Sequence, residues 1–338
     1  MVRIEAVEPE RWCDADWRRC YALHCSAHGE QGSAARSLAA YRLAHLRVPG
    51  AVAKHCWVAR DESAIVGKLD LVIADVCVEE ASLALYVAPA ARGRGIAHAL
   101  LRAMLPIAER HAARMLHAGA VQPAGWSLCE GLGGQLEHTT VQQTLDLEAV
   151  NWPLVRAWCE NTQQARSTRL EWFETLPVQL VNPFLDLQQR AWADFPSVLT
   201  QASAGPTLAQ RREDERRHQL LGWRWLTVAA RERDGIVTGA TDVTYDPLQP
   251  DLVRQNLTVV SPNHRGSGLA RRLKSAMLFR VREQFPKAQR LVTANSADNT
   301  AMLEINRKLG FVRVSQQRVY GLPLAQLRDW LSAPSSAS

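Results

Sequence analysis

Two short glycine-containing loops are the parts of this sequence best suited to hold an anionic ligand. They read Arg92-Gly93-Arg94-Gly95 and Arg265-Gly266-Ser267-Gly268. Glycine lets the backbone adopt dihedral angles that other residues avoid, and it lets the chain approach a ligand closely. When such a loop opens a helix, the first N–H groups of the helix have no partner within it and, with the helix dipole, they bind anions such as a pyrophosphate. The arginines add positive charge to both loops.

The elements around the two loops follow one pattern. Each loop comes after a short apolar run that predicts a strand, Leu83–Val87 in the first copy and Leu257–Val260 in the second. After each loop, apolar residues recur at i, i+3 and i+4, which predicts amphipathic helices over Ala97–Arg110 and Ala270–Glu283. The same order of strand, glycine loop and helix occurs twice in the sequence, which indicates an internal repeat.

Two common nucleotide-binding motifs do not fit either copy. The Rossmann fingerprint G-x-G-x-x-G needs a third glycine, which neither copy has. The phosphate-binding loop G-x-x-x-x-G-K-[ST] needs a lysine followed by serine or threonine, and neither copy has it. A tight turn without a ligand is the alternative for either copy taken alone, and the matching context of the two copies argues against it.

Both loops resemble the acyl-CoA loop of the GCN5-related N-acetyltransferases (GNATs). The family pattern R-x-x-G-x-A is matched from Arg92 to Ala97 and again from Arg265 to Ala270. Downstream of the second loop, RLVTANSADNTAMLEINRKLGFVRV resembles the next strand, the asparagine-bearing turn, the following helix and the "LGF" of the family. Upstream, the turn Asp234-Gly235 and the segment CWVARDESAIVGKLDLVIA resemble the family's hairpins. The resemblance covers nearly the whole chain, in tandem.

The resemblance implies an α/β fold with two tandem GNAT domains. Each would be a mixed, twisted sheet that splays between its fourth and fifth strands, with helices on both faces. In the second half these strands would be Leu257–Val260 and Leu291–Ala294. The acyl thioester would lie in the cleft, where a backbone N–H of Val259 or Val260 would face its carbonyl oxygen and stabilise developing negative charge.

We expect an N-terminal domain over residues 1–150, a C-terminal domain over 151–332 and a disordered tail at 333–338. The C-terminal domain keeps Asn295, Asn299 and the "LGF" segment, whereas the first half has no asparagine after its fifth strand and reads Leu132-Gly133-Gly134 in place of "LGF". We therefore expect catalysis in the C-terminal domain and a structural or non-catalytic role for the degenerate N-terminal one.

The resemblance also implies the residues that would bind the cofactor, acetyl-CoA or another acyl-CoA. In the second half they are Val259, Val260, Arg265, Gly266, Ser267, Gly268, Leu269, Ala270, Asn295, Asn299 and Asn306; a second set in the first half is Val87, Arg92, Gly93, Arg94, Gly95, Ile96 and Ala97. Asn295 and Asn299 have an alternative role as helix-capping residues, because asparagine is a common N-cap.

The acid and base of the reaction are not evident in either half. Where many GNATs carry a glutamate on the fourth strand, this sequence has Arg254, and Asn306 and Cys129 stand where they carry a tyrosine. Since side chains alternate along a strand, we expect Asn256 and Thr258 to share the face of Arg254 and to line the acceptor cleft.

Two ionisable residues are the nearest remaining candidates for the base. Asp242, on the preceding strand, is the candidate catalytic carboxylate, or else an ordinary exposed strand residue. His264, at the mouth of the second loop, is the other candidate, or else a loop residue near the CoA phosphates. With Thr258 and Asn256, Asp242 completes the predicted catalytic set.

Length and composition agree with this organisation. The chain has 338 residues, which fits two domains of roughly 150 residues. A formal charge of +6 would help to attract a polyanion but does not choose between CoA and nucleic acid. The mixed-sign run from Arg211 to Arg217 predicts an exposed helix face rather than a nucleic-acid contact.

The sequence shows no signal for a membrane, a secretory route or a metal. There is no stretch of signal-peptide character and none long enough to cross a bilayer, so we expect a cytoplasmic protein with no membrane partner. The seven cysteines include no C-x-x-C pair, and we expect free thiols and no metal site.

The expected function is acyl-CoA-dependent N-acyltransfer, with acetyl passing from acetyl-CoA to a primary amine of a small molecule such as a metabolite or an antibiotic. Three alternatives stay open: a CoA-binding sensor without turnover, an acyltransferase that uses a longer acyl-CoA, and one that acts on a protein or peptide amine. The sensor is an alternative because the usual acid and base are missing in both halves.

Overall fold

The structure is a computed structural model that describes residues 2–28, 37–46, 51–74, 79–160, 168–193 and 207–333. The chain folds into two compact units. The described residues up to Thr139 and from Ser315 onward form the first unit, and those between Thr140 and Val314 form the second. Residues 334–338, which belong to the predicted tail, lie outside the described residues.

The order of strands and helices in the first half of the described chain is largely repeated in the second half. The strands are β1 Arg3–Val7, β2 Ala51–Asp61, β3 Ala64–Ala74, β4 Glu80–Val87, β5 Met115–Ala120, β6 Gln135–Asp146, β7 Thr168–Phe173, β8 Arg224–Glu232, β9 Val237–Tyr245, β10 Leu252–Val260, β11 Arg290–Ser296 and β12 Val312–Pro323. The helices are α1 Asp14–His28, α2 Leu38–Leu46, α3 Ile96–Arg110, α4 Pro123–Gly131, α5 Trp152–Cys159, α6 Val178–Ala193, α7 Leu208–Leu220, α8 Leu269–Gln284, α9 Thr300–Leu309 and α10 Leu324–Ser332.

The sheet of the first unit runs β1-β2-β3-β4-β5 and ends with the segment Arg318–Pro323 of β12. Its first four strands are antiparallel, and β4 pairs with β5 in parallel. That parallel pairing runs only from Glu80–Met115 to Leu83–Ala118, although β4 continues to Val87. The two strands therefore separate towards the first glycine loop, which confirms the predicted splay.

The sheet of the second unit repeats this order as β7-β8-β9-β10-β11 and ends with the segment Thr140–Asp146 of β6. The parallel pairing of β10 with β11 stops at Arg254–Val292, while β10 continues to Val260. The splay between the fourth and fifth strands is thus present in this unit too.

The last strand of each sheet comes from the other half of the sequence. The segment of β12 that pairs with β5 follows α9, and the segment of β6 that pairs with β11 follows α4. The structure therefore differs from the contiguous division at residue 150 that the sequence suggested. Both β6 and β12 are 12 residues long, and each changes from one unit to the other within its own length.

Helices cover both faces of each sheet, as predicted. On β2, Trp57 packs in the cluster that contains α3, whereas its neighbour Val58 packs in the cluster that contains α1. In the second unit, Val228 packs with α8 and the adjacent Ala229 packs with α6. This alternation is the pattern of strands buried on both sides.

The run from Arg211 to Arg217 lies in a helix, α7, but the prediction that it forms an exposed face is wrong for two of its members. Arg211 and Glu215 are only 2% and 5% exposed, and they form an ion pair at 3.0 Å. They are one helical turn apart, so both point to the same side of the helix, where Trp225 and Phe184 cover the Arg211 guanidinium. Within the described ranges, no helix is long and apolar enough to span a membrane.

Candidate functional site

Both glycine loops adopt a conformation that requires glycine and leaves open space in front of it. Gly93 and Gly266 have φ values of 75° and 74°, in the left-handed region that L-residues rarely adopt. Gly95 and Gly268, also at positive φ, directly precede α3 and α8. A Cβ added at Gly93, Gly95 or Gly266 would meet no atom within 4 Å. The loops therefore form cradles with room for a ligand.

The first turns of α3 and α8 present their backbone N–H groups towards these loops. The capping glycine accepts the first helical hydrogen bond in each case: from Ala99 N–H to Gly95 O at 3.0 Å, and from Arg272 N–H to Gly268 O at 3.1 Å. The N–H groups before these donors have no acceptor one turn earlier in the helix. This is the arrangement that binds phosphate groups at helix N-termini.

The arginine that opens each loop makes the same contact in both units. Arg92 Nε donates to Val87 O and Arg265 Nε donates to Val260 O, both at 3.4 Å. The loops differ at the third position, where Arg94 pairs with Asp61 at 2.8 Å and Ser267 Oγ donates to the carbonyl oxygen of His264. The two loops are therefore equivalent at the backbone and differ in their side-chain charge.

In the second unit, the separation of β10 from β11 opens a cavity of about 550 Å³. The predicted residues that line it are Thr258, Val259, Val260, Arg265, Gly266, Gly268, Leu269, Ala270 and Asn299, together with His264. The predicted residues that do not line it are Ser267, Asn295, Asn306, Asp242 and Asn256. Most of the predicted cofactor set is thus brought together around one space.

Val259 and Val260 both line this cavity, but only the backbone N–H of Val260 points to the open edge of β10. Ser261 N–H donates to Thr238 O of β9 at 2.8 Å. Because successive N–H groups of a strand point to opposite sides, the N–H of Val260 points away from β9, to the open edge, and that of Val259 points to β9. Of the two candidates for the donor to a thioester carbonyl, the geometry retains Val260.

A β-bulge interrupts β10 and overturns the predicted face of Asn256. Gln255 pairs with Val243 and Thr258 pairs with Thr241, so two residues of β10, Asn256 and Leu257, lie opposite the single residue Asp242. The prediction that Asn256 and Thr258 share a face is therefore wrong. Thr258 bonds the Thr241 hydroxyl at 2.7 Å on the face of α8, whereas the Asn256 amide reaches Asp242 on the opposite face.

Asp242 is buried beneath the bulge and is not an exposed strand residue. Its carboxylate accepts hydrogen bonds from the Leu257 N–H at 3.0 Å, from Asn256 Nδ2 at 3.5 Å and from the indole N–H of Trp225. The side chain is 2% exposed, and this burial raises the pKa of the Asp242 carboxyl above its ordinary value despite the Arg211 guanidinium nearby and these donors. The carboxylate thus holds the bulge from the side opposite the cavity.

The three asparagines of the predicted cofactor set have different surroundings. Asn299 lines the cavity, and its Oδ1 also caps α9 by accepting from Met302 N–H at 3.1 Å. Asn295 lies on β11 opposite Val141, with its Nδ2 buried and without a hydrogen-bond partner among the described residues. Asn306 is fully buried and does not line the cavity, because it points inward from α9.

The first unit has a smaller and more apolar cavity of about 320 Å³ at the matching place. Of the predicted residues, Val87, Arg92, Gly93, Gly95, Ile96 and Ala97 line it, and Arg94 does not. Its inner wall includes Leu101 and Cys129, and burial raises the pKa of the Cys129 thiol to about 11. The inner wall thus presents an aliphatic side chain and a neutral thiol, and Tyr86 and Gln122 also line the cavity.

Comparison with known proteins agrees with the geometry. The family model of the acetyltransferase (GNAT) domain matches residues 53–128, which contain β3, β4, the first glycine loop and α3. The chain is similar over 99% of its length to a tandem GNAT protein from the clavulanic acid biosynthesis pathway, which is covered completely, with a TM-score of 0.76 and 22% identity. The chain has the fold of a tandem GNAT protein.

Two further solved structures show the same fold with lower sequence identity to this chain. A GCN5-related N-acetyltransferase from Sphaerobacter thermophilus is 14% identical, with a TM-score of 0.67 and coverage of 96% of both chains. The glucosamine N-acetyltransferase region of a fungal multi-domain GH3 β-N-acetylglucosaminidase is 14% identical, with a TM-score of 0.65, and covers 95% of this chain and 38% of that one. No curated protein sequence matches the chain.

The family match falls in the half whose sequence suggests a degenerate domain. The family of the matching model is one of acetyltransferases, and the match covers residues 53–128 of this chain. The residues present fit acyl-CoA in both units, since each has a glycine cradle open to a ligand and helix N–H groups in front of it. Sequence reasoning missed Lys274, the sixth residue of α8, because it looks like an ordinary charged residue of an amphipathic helix.

Proposed function

We propose that the chain transfers an acetyl group from acetyl-CoA to a primary amine of a small molecule, and that the second unit carries out the chemistry. The observation that carries this proposal is the bulge at Asn256–Leu257, which coincides with the opening of β10 away from β11. The first unit pairs β3 with β4 without interruption from Ile73–Ala81 to Gly67–Val87. The bulge thus distinguishes the fourth strand of the second unit.

Each part of the cavity in the second unit has a role under this proposal. Arg265 and the N–H groups from Gly266 to Arg271 would hold the CoA pyrophosphate. Acetyl-CoA supplies an acyl group activated as a thioester. The Val260 N–H, on the open edge of β10, would donate to the acyl carbonyl oxygen as negative charge develops, and such a donor lowers the barrier by about 3 kcal/mol.

The side chains that line the second cavity support a small amine as the acceptor. The cavity carries neutral and polar groups, including Thr258, Ser296 and Asn299, which suit a small polar amine. The similar fungal region is described as a glucosamine N-acetyltransferase, which is also an enzyme for a small amine.

The first unit is proposed to bind acyl-CoA without transferring the acyl group. Its loop has the same backbone conformation as that of the second unit, and its cavity is lined by aliphatic side chains that suit a pantetheine arm. Its inner wall includes Leu101 and the neutral thiol of Cys129.

The proposal is tested by measuring release of free CoA from acetyl-CoA in the presence of a panel of small primary amines. We expect amine-dependent CoA release with the wild-type chain and its loss in Gly266→Trp. Binding of acetyl-CoA without release of CoA on any amine would instead support the sensor function. Release that persists in Gly266→Trp and disappears in Gly93→Trp would move the chemistry to the first unit.

A further inference from the structure

The floor of each cleft is formed by two equivalent positions of the internal repeat. The sixth residue of α3 is Leu101, and the sixth residue of α8 is Lys274. Seven positions after the N-cap of α4 comes Cys129, and seven after the N-cap of α9 comes Asn306. In the first unit both residues, Leu101 and Cys129, line the cavity directly. These positions therefore face the space between the separated strands.

In the second unit these two positions hold Lys274 and Asn306, so the floor of the cleft is polar there. Lys274 lies one helical turn beyond Ala270 on α8, and Asn306 lies one turn beyond Met302 on α9. Ala270 and Met302 both line the cavity. Lys274 is 2% exposed and Asn306 is fully buried. A lysine and an asparagine are thus buried directly below the cavity that would hold the thioester.

The burial of Lys274 needs an explanation, because an ammonium group loses much solvation energy in a protein interior. No carboxylate of the described ranges forms an ion pair with it. Its Nζ lies 5.4 Å from the ring centroid of Phe311, a residue that is replaced by Gly134 in the first unit. Burial lowers the pKa of Lys274 to about 7. The amine is therefore able to give up and regain a proton near neutral pH.

Asn306 adds a second, independent sign that a ligand belongs at this floor. Its Nδ2 donates to Gln143 Oε1 at 2.8 Å, which fixes the orientation of the amide. Its Oδ1 is buried and, within the described part of the chain, has no hydrogen-bond partner. Leaving a buried acceptor unsatisfied costs about 1–3 kcal/mol, so a donor such as a bound water, a ligand or an ammonium group is expected here.

From this geometry we propose that Lys274 is the proton donor to the sulfur of the leaving CoA in the second unit, with Asn306 as a positioning residue on the same floor of the cleft. This inference rests on the proposed function. As the acceptor nitrogen forms its bond to the acyl carbon, the C–S bond breaks and its electron pair goes to sulfur. Lys274 transfers a proton to that sulfur and becomes a neutral amine. It regains a proton from the acylated nitrogen, so that amine and thioester give amide and free thiol.

Lys274→Leu is the direct test, because the first unit carries leucine at the equivalent position. Lys274→Met is the second variant, and Lys308→Leu, which replaces a half-exposed lysine of α9, is the matched control. Replacing Lys274 should lower kcat by about 100-fold with KM for acetyl-CoA unchanged, the magnitude of a lost general acid. The control should behave as wild type. Circular dichroism would establish that both Lys274 variants fold.

A second readout does not depend on turnover. The thiolate absorbance of CoA bound to the protein, followed against pH, reports the pKa of the bound thiol. With Lys274 present, we expect the thiolate to form at lower pH than in Lys274→Leu, since an ammonium group beside sulfur stabilises the thiolate. An unchanged thiol titration in Lys274→Leu would overturn the proposal, whatever happens to kcat, and so would an unchanged kcat. Absence of CoA release by the wild-type chain would instead contradict the proposed function itself.

Discussion

The carboxylate of Asp242 accepts a hydrogen bond from the backbone N–H of Leu257 at 3.0 Å, beneath the bulge of β10. This contact joins a buried charge to the strand that borders the cavity. It places Asp242 on the face opposite Thr258, so the carboxylate supports the shape of the strand and does not line the cavity. We therefore expect Asp242 to act as a positioning residue, although its type and place in the sequence suggested a base.

Asp242→Asn separates these two roles. An amide in this place keeps one acceptor but turns its other end, a donor, towards donors such as Trp225 and Asn256, so the bulge should shift. A shift of about 1 Å in the strand that borders the cavity should lower kcat/KM by about 100-fold, because the reacting groups would no longer be aligned. The dependence of kcat on pH should keep the shape seen in wild type. Loss of the acidic limb of that profile, where a base must first give up its proton, would show that Asp242 acts as a base, and Asp251→Asn, at a half-exposed position beside Arg290, serves as the control.

Asn299 should combine a structural contact with a ligand contact. Its Oδ1 caps α9, so Asn299→Ala should lower the free energy of unfolding by about 1 kcal/mol. Asn299→Asp keeps the capping oxygen but loses the amide donor that borders the cavity, and it should weaken acetyl-CoA binding by about fivefold to tenfold without changing stability. Calorimetric titration and urea unfolding measure the two effects. Equal affinity in Asn299→Asp and wild type would restrict this residue to capping, and Asn151→Asp at the N-cap of α5 is the matched control.

Lys68 and Asp70 form a buried ion pair on β3 that should dominate the stability of the first unit. They are 1% and 5% exposed, and His45 lies 3.5 Å from the same carboxylate. Asp70→Asn leaves the Lys68 ammonium buried without its partner and should lower the free energy of unfolding by about 3–5 kcal/mol. The double variant Lys68→Met/Asp70→Leu should recover most of that loss. A single variant as stable as wild type in urea would contradict this assignment.

The pH dependence of the same pair follows from its charge. Burial alone would raise the pKa of the Asp70 carboxyl, but the Lys68 ammonium outweighs it and holds that pKa well below its usual range. Since the unfolded chain then binds more protons than the folded one at acid pH, stability falls as pH drops below the ordinary carboxyl range near 3.8. The double variant should lose this part of the acid sensitivity.

Lys274 should make stability depend on pH in a separate, alkaline window. Its pKa falls from an ordinary 10.5 to about 7 on folding, so between these values the unfolded chain binds one proton more than the folded chain. The free energy of unfolding should therefore rise with pH in that window, by up to about 1.4 kcal/mol per pH unit. Lys274→Leu should flatten this slope and be more stable than wild type at neutral pH. Urea unfolding at a series of pH values measures it, and an unchanged slope would show that Lys274 is solvated in the folded chain.

Local patterns in the sequence were sufficient to predict the repeated strand, loop and helix. The observed helices α3 and α8 begin one residue before the predicted starts at Ala97 and Ala270. These features could be predicted because glycine torsions and apolar periodicity act over a few residues. The same reasoning predicted most of the residues around the second cavity.

Non-local features could not be predicted in this way. The bulge inserts one residue between Gln255 and Thr258, and no glycine or proline in that segment marks it. Asp242 is buried because α7, distant in sequence, supplies Arg211 next to Trp225. The pairing of β5 with the end of β12 depends on residues almost two hundred positions away, as in Ala120 with Arg318. The alternation of side chains between the two faces of one strand cannot reveal any of these relationships, because each depends on residues of another element.

The most direct test of the central claim is calorimetric titration of acetyl-CoA into wild type, Gly266→Trp and Gly93→Trp. The two glycines have nearly the same φ, and an added side chain would enter open space at both, so the variants should carry similar backbone strain and each should block its own cradle. We predict that Gly266→Trp abolishes binding in the second unit together with amine-dependent CoA release, while Gly93→Trp keeps that release. Release that survives in Gly266→Trp and is lost in Gly93→Trp would contradict the account.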